Sequence, residues 1–394
     1  MSSILVLGVG LQGRAVAHDL ALQPQIETIV AADLDPVRAA ASLSPQARER
    51  VKMAWVDADD DGVLAALLAE HRPDAVICML PPAMGPAAGR AALQAGAHYV
   101  STSYTGPLRA LEPLARERGL AVLPEMGMDP GIDLVLAQHA VAQLDVVHGL
   151  EVFGGGLPEA AHADATPLRY KITWTFAGVL AAYVRPARLL RGGEEVDLPG
   201  TEIFHPDQVR SEHIPGIGAL EVYPNGDAVG FIETFGLGPE LREMGRYSLR
   251  WPGHCALWYP LVQLGLLGDD PVDLGDGVTR TPRELLAMQL EPSLQFADDE
   301  RDVIVLRVRA WGLRDGEPRA TVADVVDHRD LETGLFAMNR TVGYTASIGA
   351  QLILDGTISA RGLLSPARDV PPAPFFDALR ERDIRVEHRQ EDPR

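Results

Sequence analysis

The sequence predicts an α/β fold, in which a doubly wound parallel sheet is followed by an α+β domain with an antiparallel sheet. A strand, a glycine-rich turn and a helix open the chain, and short apolar segments then alternate with helical patterns as far as Leu123. From about residue 135, β-branched segments are separated by glycine-rich loops instead. We therefore expect a first domain over 1–134, a second over 135–334, and a returning segment over 335–394.

The glycine-rich turn directly follows the first apolar segment, Ile4 to Leu7. Gly8 allows a tight turn, Gly10 lets the backbone approach a pyrophosphate, and Gly13 lets the helix pack closely on the strand. The start of that helix offers N–H groups and a positive dipole end to phosphates. A second apolar segment ends at Asp33, twenty residues after Gly13. This order predicts a Rossmann domain that binds a dinucleotide.

The end of the second strand bears on the choice of cofactor. Asp33 would accept hydrogen bonds from a ribose 2′-OH and repel a 2′-phosphate, and Asp35 adds to that repulsion. Arg38 is the cation nearby that could pair with a 2′-phosphate. The sequence therefore favours NAD and leaves NADP as the alternative.

Further cofactor contacts are expected where the later strands end. In a doubly wound sheet, ligands lie beyond the carboxyl ends of the strands. The strands predicted at Val51–Val56, Ala75–Leu80, Tyr99–Val100 and Leu120–Leu123 place the segments Pro81–Pro82, Ser101–Thr105 and Glu125–Gly131 at that edge. The remaining candidate cofactor-binding residues are Leu11, Gln12, Asp57, Leu80, Pro81, Ser101 and Ser103.

The second domain shows strand patterns. Gly149–Phe153 and Lys171–Thr175 are predicted strands, and Val303–Trp311 alternates as a half-buried strand does. The turn after it predicts a hairpin with Ala320–Val326.

The last part of the chain is predicted to return to the first domain. Gly343–Leu354 is a long apolar helix that we expect to pack on the nucleotide domain. The proline-rich stretch Leu364–Phe376 predicts an extended surface strap. Arg380–Arg394 is a charged, solvated tail with at most one edge strand.

Composition restricts the class of protein. The chain has 394 residues, 46% of them hydrophobic, and a formal net charge of -20. That charge disfavours nucleic acid and anionic membranes as partners, and no apolar run reaches the roughly 18 residues that span a bilayer. The only cysteines, Cys78 and Cys255, favour a reducing cytoplasm. No motif predicts a metal site.

A series of motifs resembles the saccharopine dehydrogenase family, in particular its glutamate-forming branch. The motifs, in chain order, are Thr102-Ser103-Tyr104, Leu111-Glu112-Pro113, Pro124 to Asp133, Gly155 to Pro158, Pro167 to Trp174, Tyr223-Pro224-Asn225, Ser248 to His254 and Arg340 to Tyr344. The resemblance covers nearly the whole chain. It implies hydride exchange between a nicotinamide and the C–N bond of an amino acid, such as a saccharopine-like conjugate, lysine or a related diamine.

The chain departs from that family at two positions. Gly154 stands where saccharopine reductases carry a cysteine, and Gly226 where they carry an arginine after Tyr-Pro-Asn. Because such an arginine would pair with a substrate carboxylate, its loss suggests a substrate with one carboxylate fewer or a different shape.

Three residues are candidates for moving the amine proton. Asp129 lies at the cofactor edge, where the resemblance also places a functional acid, although Asp129 and Pro130 could simply start a helix. Tyr104 could donate to substrate or cofactor, or pack under its loop. Lys171, predicted within a strand, would suit proton transfer if desolvated, or would protect an edge strand.

Three more residues are candidates for binding substrate. Glu125 is either a buried acid near the nicotinamide or a surface loop residue. Asn225 and Arg250 could contact a carboxylate or amine, although Arg250 could instead pair with Glu221 or Glu233. His254 and Cys255 are adjacent, which does not by itself place their side chains in contact.

The sequence thus predicts an NAD(P)-dependent dehydrogenase that acts on a CH–NH or CH–NH2 group of a small amino acid or amine. The alternative is a dinucleotide-binding regulatory protein without turnover, which Gly154 favours. The apolar sheet of the second domain favours a homodimer.

Overall fold

The computed structural model describes residues 2–275 and 277–391 and divides the chain into two compact units. The first unit comprises the residues up to Gln138 together with Glu332–Arg385. The second comprises His139–Leu331 together with the residues from Val386. Among the described residues, no helix is both long and apolar enough to cross a membrane.

The first unit is built on a parallel sheet. Its strands are β1 (Ser2–Leu7), β2 (Ile26–Asp33), β3 (Val51–Trp55), β4 (Ala75–Cys78), β5 (His98–Ser101), β6 (Ala121–Leu123) and β17 (Gly362–Leu363). The described residues place them in the order β17-β6-β5-β4-β1-β2-β3, with every neighbouring pair parallel. Strand order reverses at β1, which confirms the predicted doubly wound sheet.

Helices connect these strands and follow the predicted alternation. They are α1 (Gly13–Ala21), α2 (Pro36–Ser42), α3 (Pro45–Arg50), α4 (Asp61–His71), α5 (Gly85–Gln94), α6 (Thr105–Leu108), α7 (Glu112–Arg118), α8 (Ile132–Val141), α13 (Ala337–Leu354), α14 (Pro366–Asp369) and α15 (Pro372–Arg380). A 3-10 turn at Arg109–Leu111 separates α6 from α7. Gly119 ends α7 in the left-handed conformation.

The returning helix α13 packs on the first unit, as predicted. A Cβ at Gly343 would lie 2.7 Å from the Ala15 Cβ and 2.8 Å from the Gln12 carbonyl oxygen, so only glycine allows this approach to α1. The predicted extended strap at Leu364–Phe376 is wrong. Pro366 and Pro372 occupy first-turn positions of α14 and α15, where proline is well tolerated.

The second unit contains a mixed sheet and a small hairpin. The strands are β7 (Val146–Pro158), β8 (Ala187–Arg191), β9 (Glu194–Leu198), β10 (Arg210–Ile214), β11 (Gly218–Pro224), β12 (Glu243–Arg250), β15 (Asp302–Arg314), β16 (Glu317–His328) and β18 (Val386–Glu391), with β13 (Val272–Asp273) and β14 (Thr279–Arg280) forming the hairpin. The main order is β10-β11-β12-β7-β15-β16-β18. Because β7 and β12 run parallel, the sheet is mixed rather than antiparallel as predicted.

The predicted hairpin is present, but its burial differs from the prediction. β15 and β16 pair antiparallel as expected. Arg307 on β15 is only 1% exposed, so this strand is buried on both faces rather than half-buried. The Arg307 Nε and Nη2 donate to the two carboxylate oxygens of Asp324 at 2.7 and 3.0 Å, and its Nη1 donates to Glu212 at 2.7 Å. Ion pairs therefore replace solvent on the polar face.

The helices of the second unit surround an aromatic core. They are α9 (Ala160–Ala163), α10 (Phe176–Ala182), α11 (His254–Gln263) and α12 (Pro282–Leu290), with 3-10 turns at Gly200–Glu202, Pro206–Gln208, Val229–Phe231 and Glu291–Leu294. Tyr183, Phe204, Tyr223 and Trp258 are buried together in this core. The charged tail forms the outer strand β18, and residues 392–394 lie outside the described part of the chain.

Candidate cofactor and substrate sites

The glycine turn has the geometry that its spacing predicts. Gly8 has φ +86°, and a Cβ there would lie 3.1 Å from the Met79 carbonyl oxygen. A Cβ at Gly13 would lie 1.9 Å from the Gly8 carbonyl oxygen, so α1 could not start here with any other residue. A Cβ at Gly10 would meet no atom within 4 Å. The turn is thus tightly packed against the protein at Gly8 and Gly13, and it is open at Gly10, where a pyrophosphate could approach the backbone.

The backbone N–H groups of this turn differ in whether they have an acceptor. The Gly8 N–H donates to the Ala32 carbonyl at 2.9 Å. Within residues 2–275 and 277–391, no protein acceptor takes the N–H groups of Gly10, Leu11 and Gln12. Donors left free at the start of a helix form an anion site. The residues present therefore fit a dinucleotide pyrophosphate.

Asp33 has a structural role at this turn. Its Oδ2 accepts the Val9 N–H at 2.8 Å, and its Oδ1 accepts the Asp35 N–H at 3.0 Å. Asp35 in turn accepts the Arg38 N–H at 3.0 Å and caps α2, while the Arg38 side chain is exposed. The carboxylate of Asp33 holds the turn in place, which accounts for an acid here without any ribose contact.

The other candidate cofactor residues lie at the carboxyl edge of the parallel sheet. Asp57 follows β3 and accepts the Asp59 N–H at 3.1 Å. Leu80 and Pro81 follow β4, and Ser103 lies two residues beyond β5. Ser101 ends β5 and is 0% exposed.

Tyr104 and Glu125 lie on neighbouring loops of the same unit. Tyr104 is 48% exposed, so its predicted alternative as a packing aromatic is wrong. Glu125 is buried, and its Oε1 accepts the Thr105 N–H at 3.0 Å at the start of α6. Its backbone has φ +60°, and its N–H donates to the Ser103 carbonyl. Glu125 thus joins the loops that follow β5 and β6.

Asp129 does not start a helix, which corrects that alternative. The Asp129–Pro130 peptide is cis, and α8 begins at Ile132. The Gly127 N–H donates to the Pro130 carbonyl, which closes the intervening turn. Asp133 accepts the Gly131 N–H at 2.6 Å. Burial raises the pKa of Asp133 to about 8, against the effect of that hydrogen bond, so the carboxyl is largely protonated at pH 7.

Lys171 lies in a loop and not in the predicted strand. Its side chain is 8% exposed, and its Nζ forms an ion pair with Glu300. The ammonium also lies 5.6 Å from the centroid of the Phe296 ring. Burial opposes ionisation of Glu300, but hydrogen bonds from Lys171 and the Ala297 N–H hold the pKa of Glu300 below its usual value. Sequence reasoning missed Glu300, which is distant in the chain and carries no motif.

Arg250 is buried in the aromatic core without a carboxylate partner among the described residues. Glu221, a predicted partner, instead accepts the Gly253 N–H at 2.7 Å and the Cys255 N–H at 2.9 Å. The Arg250 Nη1 donates to the Leu249 carbonyl at 2.8 Å. The predicted ion pairs with Glu221 or Glu233 are therefore wrong.

A chain of hydrogen bonds orients the Arg250 guanidinium. Burial and the nearby Arg250 charge lower the pKa of His254 to about 3, so its imidazole is neutral. His254 Nδ1 lies 2.9 Å from the Leu168 carbonyl, which can only accept, so Nδ1 carries the proton. Nε2 then accepts from the Tyr183 hydroxyl at 2.8 Å, and the Tyr183 oxygen accepts from the Arg250 Nε at 3.3 Å.

The remaining second-unit candidates have smaller roles. Asn225 follows β11, is half-buried, and its N–H donates to the Arg246 carbonyl at 2.9 Å. Burial raises the pKa of the Cys255 thiol, and the neighbouring Glu221 carboxylate does the same, so the thiol stays protonated. The described residues contain no group of three or more His, Cys, Asp or Glu side chains suited to a metal ion.

Comparisons with known proteins cover both units. Residues 4–123 match the family model described as the saccharopine dehydrogenase NADP binding domain. Residues 127–384 match the model described as the saccharopine dehydrogenase C-terminal domain.

Individual relatives differ in how much of their length the chain covers. Saccharopine dehydrogenase [NADP(+), L-glutamate-forming] of Saccharomyces cerevisiae is 27% identical over 96% of this chain and 97% of its own. Mitochondrial alpha-aminoadipic semialdehyde synthase of Bos taurus is 26% identical over 97% of this chain, which spans only 47% of that protein. The solved apo structure of the yeast saccharopine dehydrogenase (L-Glu forming) superimposes with a TM-score of 0.86 and 25% identity, covering 99% of this chain and 100% of that one.

Proposed function

We propose that this chain, which belongs to the saccharopine dehydrogenase family, is an NAD(P)-dependent oxidoreductase acting on the C–N bond of an amine that carries a carboxylate. The observation that carries the proposal is the buried Arg250, which lacks an acid partner among the described residues. A substrate carboxylate would supply that partner. The open glycine turn, with its free N–H groups, supports the dinucleotide half of the proposal.

We propose different roles for the residues of the two units. The N–H groups of Gly10, Leu11 and Gln12 would hold the pyrophosphate. When bound, the nicotinamide supplies hydride acceptance and donation at its C4 atom. Arg250 would bind the substrate carboxylate, and Tyr183 would keep its guanidinium oriented. We assign cofactor binding to the first unit and substrate binding to the second.

We assign the proton transfer first to Lys171. Its ion pair with Glu300 fixes the position of a buried ammonium, which can give a proton to the amine nitrogen and take it back. Asp129 and Tyr104, on the loops of the first unit, are the alternative proton carriers. Glu125 and Asn225 are proposed as further substrate contacts.

We propose NADP as the cofactor, with NAD as the alternative. The family model and the yeast relative are named for NADP, which does not support the preference for NAD expected from Asp33. Both carboxylate oxygens of Asp33 already accept backbone N–H groups, which weakens the inference drawn from that acid. The exposed Arg38 is a side chain that can pair with a 2′-phosphate.

The substrate class follows from Arg250. A diamine without a carboxylate would leave the buried guanidinium unpaired, so we propose a saccharopine-like conjugate or lysine ahead of diamines. Gly226 removes a cation that saccharopine reductases carry, and we therefore expect weaker selection for a second carboxylate. The homodimer and the cytoplasmic location stay predictions, of which gel filtration with light scattering tests the first.

The test is formation of NADPH or NADH, followed at 340 nm at alkaline pH with a panel of amines. The panel contains saccharopine, lysine and ornithine, with putrescine and agmatine as amines that lack a carboxylate. We expect turnover with at least one carboxylate-bearing amine and a higher kcat/KM with NADP than with NAD. Turnover confined to putrescine or agmatine would contradict the proposed substrate class.

A further inference from the structure

Asn339 lies at the start of the returning helix α13 and is fully buried. Its side chain reaches α1 and the glycine turn of the same unit. The Asn339 Oδ1 accepts from Arg14 Nη2 at 2.9 Å and from the Phe336 N–H at 3.3 Å. Its Nδ2 donates to Gln12 Oε1 at 3.2 Å. Gln12 is the residue whose own N–H opens onto the predicted pyrophosphate space.

These contacts determine where the oxygen and the nitrogen of the Asn339 and Gln12 side-chain amides point. Arginine and a backbone N–H can only donate, so both require the oxygen of Asn339 on their side. The Asn339 nitrogen must then face Gln12, and only the oxygen of Gln12 can receive it. The orientation of the Gln12 amide therefore follows from its neighbours and not from an arbitrary assignment of O and N.

The Gln12 Nε2 is consequently directed away from Asn339. Within residues 2–275 and 277–391, it has no protein acceptor. It belongs to the same residue as one of the unpartnered backbone N–H groups of the turn. A side-chain amide donor next to those N–H groups complements a phosphate oxygen.

We propose that Gln12 donates its side-chain amide to the pyrophosphate, and that Asn339 is the positioning residue that keeps the Gln12 nitrogen facing the ligand. This inference rests on the proposed function, because it requires a dinucleotide on the glycine turn. It assigns the C-terminal segment a part in cofactor binding, although Asn339 is 327 residues from Gln12 in the chain.

Asn339→Asp separates positioning from folding. The aspartate keeps the acceptors for Arg14 and the Phe336 N–H, but it cannot donate to Gln12, whose amide would turn and present its oxygen to the phosphate. We expect the Kd for NADPH, measured by fluorescence, to rise about tenfold or more, as befits loss of a hydrogen bond to a charged group. The melting temperature of the unliganded protein should change little.

Gln12→Ala and the double variant test whether Asn339 acts through Gln12. Gln12→Ala should weaken NADPH binding, and Asn339→Asp should then cause a much smaller loss than it causes in the wild type, because only the direct effect of the added charge remains. Gln12→Glu still accepts from Asn339 but turns a negative oxygen toward the phosphate, so it should bind NADPH more weakly than Gln12→Ala does. The two Gln12 variants decide the proposal even if Asn339→Asp folds poorly.

Gln351→Ala is the matched control on the same helix. Gln351 also joins α13 to α1, through Asp19 Oδ2 at 3.3 Å, but it has no contact with the glycine turn. We expect its Kd within about twofold of the wild type. Two results would overturn the inference, provided that the wild type binds NADPH. One is unchanged affinity in Asn339→Asp and Gln12→Ala, and the other is additive losses in the double variant. Absence of NADPH and NADH binding by the wild type would contradict the proposed function itself.

Discussion

At the scale of single residues, we propose that Arg250 selects substrates that carry a carboxylate. Burying a guanidinium without an acid partner carries an effective penalty of several kcal/mol, which a substrate carboxylate would offset. The Tyr183 oxygen accepts a hydrogen bond from the Arg250 Nε, and the neutral His254 accepts one from the Tyr183 hydroxyl, so the guanidinium is oriented but not neutralised. The Arg250 guanidinium therefore keeps its full positive charge in the folded protein.

We predict that Arg250→Lys lowers kcat/KM by about 10- to 100-fold for carboxylate-bearing amines, because lysine loses the planar pair of donors. Most of the change should appear in KM, since the carboxylate is bound equally before and during hydride transfer. Steady-state kinetics at 340 nm measure both constants. Arg188→Ala, at an exposed ion pair with Asp227, is the control and should leave kcat/KM unchanged. An unaltered KM in Arg250→Lys would exclude Arg250 as the carboxylate anchor.

Single residues also show where sequence reasoning succeeds and fails. The glycines were predictable because each one answers a local steric demand, as at Gly8 and Gly13. The pattern Asp129-Pro130 fits both a helix start and a turn, and backbone hydrogen bonds of the folded loop select the turn. Glu300 was not predictable, since its ion pair with Lys171 joins residues 129 positions apart.

At the scale of elements, α13 can pack closely against α1 because Gly343 has no side chain. We predict that Gly343→Ala destabilises the protein, by roughly 1 to 3 kcal/mol, because the added methyl overlaps the Ala15 Cβ and the Gln12 carbonyl. Thermal unfolding measures the loss. Gly349→Ala is the control on the same helix, where the atoms nearest the added methyl belong to the side chains of Met126 and Leu123 rather than to backbone, so the loss should be smaller. An equal loss in both variants would contradict this explanation.

The pattern of β15 was read correctly as a strand and incorrectly as half-exposed. Alternation of apolar and charged residues shows that the two faces of a strand differ, but it does not show that the polar face meets water. Arg309 on that face donates to Glu212 at 2.5 Å, 97 residues away in the chain. Long-range pairing of this kind leaves no local signal in the sequence.

The ion pairs of Glu212 with Arg307 and Arg309 predict that stability depends on pH. Burial opposes ionisation of Glu212, but hydrogen bonds from Arg309 and Arg307 outweigh it and hold the pKa of Glu212 below its usual value near 4.5. A carboxyl with a lowered pKa in the folded state stabilises above its unfolded pKa, and that stability is lost as pH falls through the folded pKa. The stabilising contribution of Glu212 should therefore be complete at pH 7 and decline below about pH 4.5.

Glu212→Gln tests that contribution. We predict that it lowers the free energy of unfolding at pH 7 by about 3 kcal/mol, because the buried guanidinium groups of Arg307 and Arg309 each lose one of their negative partners. The difference from wild type should shrink in urea unfolding at progressively lower pH. Glu195→Gln, at an exposed pair with Arg188, is the control and should have little effect. A difference that stays constant from neutral to acid pH would exclude the proposed linkage.

At the scale of the whole molecule, the order of the elements was predictable in outline. The parallel sheet follows from the alternation of short apolar segments and helices, and the ordered motifs correctly indicated the family. The motifs did not show that β18, at the end of the described chain, joins the sheet of the second unit. Arg389 on that strand pairs with Asp324, which also pairs with Arg307, so β18 extends the ion pairs of β15 and β16.

Transfer of deuterium tests the central claim most directly. The best amine from the panel is prepared with deuterium on the carbon that bears the nitrogen and is incubated with the protein and NADP. Mass spectrometry of the nicotinamide product should show NADPH that contains one deuterium atom, because the hydride comes from that carbon. NADPH of ordinary mass, or loss of the amine without formation of NADPH, would contradict hydride transfer at the C–N bond.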